Sequence, residues 1–114
     1  QTRLKAAGLP WERSKAFIGS ALFSEFVTAP EDLSRLGVEL MVDDTLRQKG
    51  DVSLMLYPPE VILKELRQFL VLEDFDIVMT GTPAGVGAVQ VGERLCGRVL
   101  HGEQELVSGV WLAQ

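Results

Sequence analysis

Residues 80–87 read TGTPAGVG, a turn with three glycines and a proline directly after the short apolar run DIVMT at 76–80. The run is apolar and β-branched, which predicts a buried strand. Glycines let the turn approach a ligand closely, and its successive amides can form an anion nest with the hydroxyls of Thr80 and Thr82. A strand-to-strand turn that binds nothing explains the same glycines. The spacing fits neither a dinucleotide fingerprint nor a P-loop.

The segments on either side of this turn predict a β-rich α+β fold with one main helix. After Pro58-Pro59, apolar residues recur at 62, 66, 69 and 70, which predicts a helix through these positions. Residues 37–42 alternate, with Val38, Leu40 and Val42 on one face of a strand. The pair Asp43-Asp44 predicts a tight turn into a second strand at 45–49, although a longer loop also fits. Two more strands are predicted at 94–100 and 105–112.

Composition narrows the class of protein. The chain has 114 residues, enough for one domain or part of one, and a net charge of −5 with scattered basic residues, which argues against nucleic acid as a partner. A single cysteine, Cys96, excludes an intrachain disulfide and fits a reducing cytoplasm. No apolar run approaches the roughly 18 residues that span a bilayer, so we expect no membrane association. The opening QTRLKAAG reads as the end of a helix, and we therefore expect a fragment of a longer protein.

A second candidate stretch reads GLPWERSK at residues 8–15. Lys15 lies close to Trp11 and Phe17, and partial desolvation by these side chains would let its ammonium group act as an electrostatic or proton-transfer partner. The alternative is a solvated surface charge, which is the usual state of a lysine in a loop.

Several other residues are interpreted as structural. Glu39 is expected to be a solvent-facing strand residue because its neighbours alternate, and Glu31 and Asp32 are expected to be charges at the start of a short helical turn near 30–33. His101 is interpreted as a surface turn residue. Cys96 and Trp111 are assigned to packing or, for the tryptophan, to a subunit interface.

Three stretches in this order, GLPWERSK followed by AFIGS, then VELMVDDTLRQKG, then DIVMTGTPAGVG, resemble the fumarylacetoacetate hydrolase family. The resemblance covers the chain from Gln1 to about Leu100. It implies a fumarylacetoacetase C-terminal-domain-like mixed β-roll or sandwich with short helices. Residues 1–114 would be the C-terminal portion of one catalytic domain. The sequence departs from the family pattern at three places. The hairpin turn is Asp43-Asp44 in place of Asn-Gly, and a turn glycine is missing at 74–76. Position 18 is Ile18 where many relatives carry Asp, and this third change bears on substrate specificity.

The resemblance also implies roles for single residues. Lys15 matches the active-site lysine, and Thr82 matches a threonine that holds the substrate carboxylate with neighbouring amides, with Gly81 allowing the backbone to approach. Gln1 matches a glutamine that follows the metal-binding Asp in the family motif, and it is expected to bind the substrate with Gly81 and Thr82. No metal ligand is expected in this chain, because the Glu, Glu and Asp that hold Mg²⁺ or Mn²⁺, with Ca²⁺ as a further option, would lie upstream of Gln1.

The resemblance implies an enzyme that uses a metal ion to hydrolyse a C–C bond of 2-oxo acids or acylpyruvates, or to decarboxylate them. It also implies a homodimer. An isomerase or hydratase of 2-oxo-hept-ene-dioate-type compounds could be built on the same site. The alternative outside enzymes is a catalytically inactive scaffold that keeps the fold without the metal. Residues 1–114 alone are expected to be inactive.

Overall fold

A four-stranded antiparallel sheet organises the computed structural model, which describes residues 1–114. The strands are β1 (Leu36–Val42), β2 (Thr45–Asp51), β3 (Arg94–His101) and β4 (Gln104–Leu112), in the spatial order β2-β1-β3-β4. Two hairpins therefore meet through β1 and β3, and the long segment between β2 and β3 passes outside the sheet. The β-rich α+β prediction is confirmed.

The first hairpin turns at Asp43 and Asp44, which have φ angles of 46° and 63°. A two-residue turn with positive φ at both positions matches the twist of the strands, and aspartate tolerates this conformation better than most residues. The carboxylate of Asp43 also accepts a hydrogen bond from the amide of Arg94 at 2.9 Å, which ties the turn to β3. The tight turn is confirmed, and the alternative of a longer loop is wrong.

The second hairpin brings Trp111 over two glycines. A Cβ atom added at Gly109 would lie 2.6 Å from the indole ring, and one at Gly97 would lie 3.2 Å from it. The ring can therefore approach the sheet this closely only because both positions lack a side chain, which agrees with a packing role. His101 is the last residue of β3 rather than a turn residue, and its Nε2 lies 3.1 Å from the Asp32 carbonyl oxygen.

Two α-helices and three short 3₁₀ turns complete the chain. They are α1 (Thr2–Ala6), α2 (Pro59–Leu66), and the turns Glu12–Ser14, Leu33–Arg35 and Val52–Leu54. The predicted start of the main helix is confirmed, with Pro59 in its first turn, but α2 ends four residues before Leu70, and Phe69 is 73% exposed. The turn expected near 30–33 begins later, because the Asp32 carboxylate accepts from the amide of Ser34 and caps Leu33–Arg35.

The strand predicted at 76–80 is absent. These residues have no ladder partner in the sheet, and Ile77 and Met79 are 51% and 77% exposed. An apolar, β-branched run forms a strand only where a neighbouring strand offers its hydrogen-bonding edge. Residues 76–80 pair with none of the four strands, so the local pattern was not sufficient.

The sheet has no closed core around it. Val42, Glu39 and Gly50 are the buried residues of the chain. The radius of gyration is 15.8 Å, against roughly 13 Å for a compact domain of this length. Large apolar side chains on both sides of the sheet therefore remain in contact with solvent. None of the helices has the length and apolar character that crossing a bilayer would require.

Glu39 is buried, which corrects its interpretation as a solvent-facing residue. Its carboxylate is held from both sides across the sheet, by Lys49 of β2 at 2.9 Å and by the Nε of Arg98 of β3 at 2.7 Å. Hydrogen bonds from Lys49 and then from Arg98 lower the pKa of Glu39 below its usual value. The residue is a structural ion-pair centre on the sheet face opposite Val38, Leu40 and Val42.

We expect Glu39→Gln to lower the free energy of unfolding of the complete protein by about 1 kcal/mol at neutral pH. The pKa of Glu39 is lower in the folded state than in the unfolded state. Its contribution to the free energy of unfolding is therefore fully present above the ordinary glutamate pKa, and it is lost as the pH falls through the pKa of the folded state. Denaturant unfolding at a series of pH values should therefore show the gap between wild type and variant closing in acid.

Glu105→Gln is the matched control, since Glu105 lies 4.0 Å from the Arg98 guanidinium and its side chain is 47% exposed. Glu105→Gln should lower the free energy of unfolding less than Glu39→Gln does at every pH. A gap for Glu39→Gln that stays constant into the acid range would show that the ion pairs do not stabilise the charged form.

Candidate substrate-binding site

A cavity of about 550 Å³ lies between the sheet and the segment that follows β2. Its floor includes Val38 of β1 and Val99 of β3, and its far wall is mostly apolar, formed by Leu54, Met55, Leu56, Tyr57 and Ile62. Residues Thr80, Gly81, Thr82 and Pro83 complete the lining. The cavity therefore has the mixture of apolar wall and local polar groups that small-molecule sites use.

Residues 80–87, here called the cradle, carry amide groups that are not paired within the chain. No backbone N–H of the cradle donates a hydrogen bond, and the hydroxyls of Thr80 and Thr82 make none either. Gly81 and Gly85 have φ angles of 147° and 101°, which side-chain-bearing residues rarely adopt. Free amides and hydroxyls beside a cavity are suited to binding an anion such as a carboxylate.

Asp51 is the one charged residue in the cavity lining. Its Oδ1 accepts hydrogen bonds from the hydroxyl and, at 2.8 Å, the amide of Ser53, and these bonds lower the pKa of Asp51. The carboxylate thus caps the turn Val52–Leu54 and is held in its ionised form. A carboxylate committed to a cap is poorly suited to act as a catalytic base, and we assign Asp51 to structure.

The predicted site residues fall into two groups. Gly81 and Thr82 line the cavity, whereas Lys15 and Gln1 do not. Lys15 follows the turn Glu12–Ser14 and is exposed, and Phe17 beside it is 62% exposed, so the expected desolvation of the lysine does not occur within this chain. Trp11 instead packs under the ammonium group of Lys5, 4.9 Å from the ring centre. The catalytic role of Lys15 and the substrate-binding role of Gln1 stay predictions.

The side chains of this chain do not form a metal site by themselves. No group of three or more His, Cys, Asp or Glu residues lies close enough together to hold an ion. The single carboxylate of the cavity, Asp51, already serves Ser53. Residues 1–114 therefore do not fit a divalent ion without further ligands.

Gln48 was not among the predicted site residues, yet its Nε2 donates to the carbonyl oxygen of Pro83 at 2.9 Å. A sequence signal was present. Gln48 lies directly opposite Leu40, on the apolar face of the sheet, and a polar side chain at such a position indicates a hydrogen-bond partner. The partner itself, 35 residues away, could not be found from the pattern.

A glycine-rich segment with unpaired amides beside a largely apolar cavity, next to an antiparallel sheet, defines the class as a domain with a candidate small-molecule site. A sequence profile described as the fumarylacetoacetate (FAA) hydrolase C-terminal region matches residues 1–109. The chain belongs to the fumarylacetoacetate hydrolase family, which confirms the resemblance seen in the sequence.

Known proteins of this family are similar to the chain. The mitochondrial oxaloacetate tautomerase FMP41 of Saccharomyces cerevisiae is 35% identical over 94% of this chain and 44% of its own length. The oxaloacetate tautomerase YcgM of Escherichia coli is 37% identical over 83% of this chain and 45% of its own length. The crystal structure of fumarylpyruvate hydrolase from Pseudomonas aeruginosa, in complex with Mn²⁺ and pyruvate, superimposes with a TM-score of 0.71 at 29% identity, over all of this chain and 49% of that one.

The chain spans less than half the length of both tautomerases. These family members are enzymes by name, and they include an isomerase class and a hydrolase class. The structural neighbour also carries a divalent metal. The fold expected from the resemblance, a fumarylacetoacetase C-terminal-domain-like structure with short helices, is confirmed.

Proposed function

We propose that the complete protein is an enzyme that acts on small 2-oxo acids and holds the substrate carboxylate in the cradle. The observation that carries the proposal is the set of unpaired amides and the free Thr82 hydroxyl beside the cavity. Charge-assisted hydrogen bonds from such groups to a carboxylate are about twice as strong as neutral ones. The relatives support the substrate class, since two are named for oxaloacetate and one is bound to pyruvate.

The first candidate reaction is keto–enol tautomerisation of a 2-oxo dicarboxylic acid such as oxaloacetate, supported by the two tautomerases. A proton leaves C3, the electron pair of that C–H bond forms the C2–C3 double bond, and the carbonyl pair moves onto the C2 oxygen, which then takes a proton. Negative charge therefore develops on this oxygen. We propose that the Lys15 ammonium group stabilises it, because a cation fixed in advance at developing charge lowers the barrier strongly.

The second candidate is hydrolysis of an acylpyruvate, supported by the fumarylpyruvate hydrolase. Water adds to the distal acyl carbonyl, the C–C bond to C3 breaks, and its electron pair enters the enolate of pyruvate. Decarboxylation of oxaloacetate, which loses CO₂ from C3, leaves the same enolate. All three reactions place charge on the same oxygen, so one arrangement of cradle and lysine serves each of them.

We further propose that a divalent ion, Mg²⁺ or Mn²⁺, takes part, held by carboxylates outside residues 1–114. Support comes from the Mn²⁺ in the structural neighbour and from the preference of such ions for oxygen ligands. We also propose a homodimer, which the exposed apolar side chains of the sheet favour, and a cytoplasmic location, which a single free cysteine fits.

A panel of substrates given to the complete protein with Mg²⁺ or Mn²⁺ tests the function. Loss of the enol absorbance of oxaloacetate reports tautomerisation, pyruvate released from acylpyruvates reports hydrolysis, and CO₂ release reports decarboxylation. We expect tautomerisation to be fastest. An absence of turnover together with no binding of pyruvate would contradict the proposal and favour a scaffold without activity.

Thr82→Val should mainly raise KM. The substitution keeps the shape of the side chain and removes its hydroxyl, and a lost hydrogen bond to a charged group corresponds to about tenfold or more in KM. The exposed Thr28, outside the cavity lining, supplies the matched control Thr28→Val, which should leave KM unchanged. An unaltered KM in Thr82→Val would remove this hydroxyl from the carboxylate site.

A further inference from the structure

The cradle belongs to a segment with almost no hydrogen bonds of its own. Residues 77–89 make no backbone–backbone hydrogen bond, either within the segment or to the sheet. Two side chains of β2 supply the polar contacts that hold it: Gln48 donates to the Pro83 carbonyl oxygen at 2.9 Å, and Arg47 donates to the Ala88 carbonyl oxygen at 3.3 Å. The position of the cradle therefore depends on β2.

Close contact between the cradle and β2 is permitted by two glycines. A Cβ atom added at Gly85 would lie 2.0 Å from the Arg47 carbonyl oxygen and 3.2 Å from Cγ of Gln48, and one at Gly50 would lie 2.7 Å from Cβ of Pro83. The half-buried Gln48 side chain thus lies against Gly85 with its methylene groups while its carboxamide reaches Pro83. One side chain contacts both ends of the turn 83–85.

The hydrogen bond of Gln48 has a consequence for the amides of the cradle. All peptide bonds of the chain are trans, so the carbonyl of one residue and the N–H of the next point in opposite directions. Because the Pro83 carbonyl points to Gln48 on β2, the Ala84 N–H points away from β2. The same bond restrains the backbone directly after Thr82, a residue that lines the cavity.

We propose that Gln48 is a positioning residue for carboxylate binding: its carboxamide holds the Pro83 carbonyl, and it thereby sets the direction of the Ala84 amide and restrains the backbone next to Thr82. Gln48 does not line the cavity and is not expected to touch the substrate. Arg47 donates its longer hydrogen bond to Ala88, five residues after Pro83. It therefore does not restrain the backbone next to Thr82 in the same way. The inference rests on the proposed function, because it assigns a role within the same site.

Gln48→Met, made in the complete protein, removes the donor and keeps a side chain of similar length. With Mn²⁺ supplied, we expect KM for the 2-oxo acid and the dissociation constant of pyruvate to rise about fivefold, the equivalent of one neutral hydrogen bond, while kcat changes less than twofold. The ¹⁵N NMR order parameters of the amides in residues 84–88 should fall, and those in β3 and β4 should stay unchanged. The NMR measurement needs neither substrate nor metal.

Gln48→Glu provides a pH-dependent test. The ionised carboxylate can only accept a hydrogen bond and faces a carbonyl oxygen, whereas the protonated acid can donate to it. The ratio of KM in this variant to KM in wild type should therefore fall toward one as the pH is lowered, and the wild-type protein in the denominator corrects for titration of the substrate. A role of Gln48 in packing alone predicts a ratio that does not depend on pH.

Gln68→Met is the matched control, since Gln68 is exposed beyond α2 and outside the cavity lining, and it should change none of these quantities. If the wild-type protein turns over a 2-oxo acid while Gln48→Met has unchanged KM and unchanged order parameters at 84–88, the positioning role is wrong and the proposed function stands. If the wild-type protein neither turns over a 2-oxo acid nor binds pyruvate, the function is wrong and the positioning role falls with it.

Discussion

Replacing Lys15 with alanine in the complete protein should lower kcat by about 10²- to 10³-fold and change the affinity for the divalent metal little. The physical reason is that all the proposed reactions place negative charge on the C2 oxygen of the substrate. A cation held at that point stabilises the transition state more than the ground state, and removing one such group typically costs this much. Steady-state kinetics and metal titration on the same preparation measure both quantities.

The Lys15→Ala experiment is also a test of geometry. Lys15 is exposed and lies outside the cavity lining in residues 1–114, so a catalytic role requires the segment that carries it to face the cradle in the complete protein. Lys64→Ala, on the exposed side of α2, is the matched control and should keep the wild-type kcat. Wild-type turnover in Lys15→Ala would remove this lysine from the site.

Gly85→Ala should have the largest effect among substitutions in the cradle. At φ 101° an alanine is strained, at a cost of about 1–2 kcal/mol, and its Cβ would lie 2.0 Å from the carbonyl oxygen of Arg47, at a further cost of about 1–3 kcal/mol. The cradle can relieve the clash only by moving away from β2. We therefore expect a lower free energy of unfolding and a KM raised at least tenfold.

Gly92→Ala separates the strain of the positive φ angle from the clash with β2. Gly92 has a similar φ of 93°, but a Cβ atom there meets nothing within 4 Å. This control should show the cost of the backbone conformation alone, about 1–2 kcal/mol, and a normal KM. Denaturant unfolding and steady-state kinetics compare the pair. Equal effects of the two substitutions on KM would contradict the close contact between Gly85 and β2.

Local chemistry determined much of the fold, and it did so where neighbours in the sequence are also neighbours in space. Two aspartates tolerate the positive φ angles of a tight turn, alternation placed Val38, Leu40 and Val42 on one face, and Pro59 marked the start of α2. The motif at 80–87, together with the stretches that precede it, indicated the correct family.

Errors arose where the outcome depends on residues distant in sequence. The run at 76–80 has the composition of a strand but no partner edge, so it remains outside the sheet. The end of α2 was placed too late, because apolar residues at 69 and 70 continue the helical spacing although the hydrogen-bonded helix stops at Leu66. Hydrophobic periodicity describes what a segment could bury and does not show whether a surface is there to receive it.

By itself, the sequence determined the hairpins, the start of the main helix, the family and the candidate cradle with Gly81 and Thr82, because each is encoded in a short stretch of backbone preference or a specific motif. Tertiary structure alone decided that Glu39 is buried between Lys49 and Arg98 and that Gln48 holds Pro83. A hydrogen bond or an ion pair needs two partners at one distance. Partners that lie 35 or 59 residues apart meet only after the strands have paired.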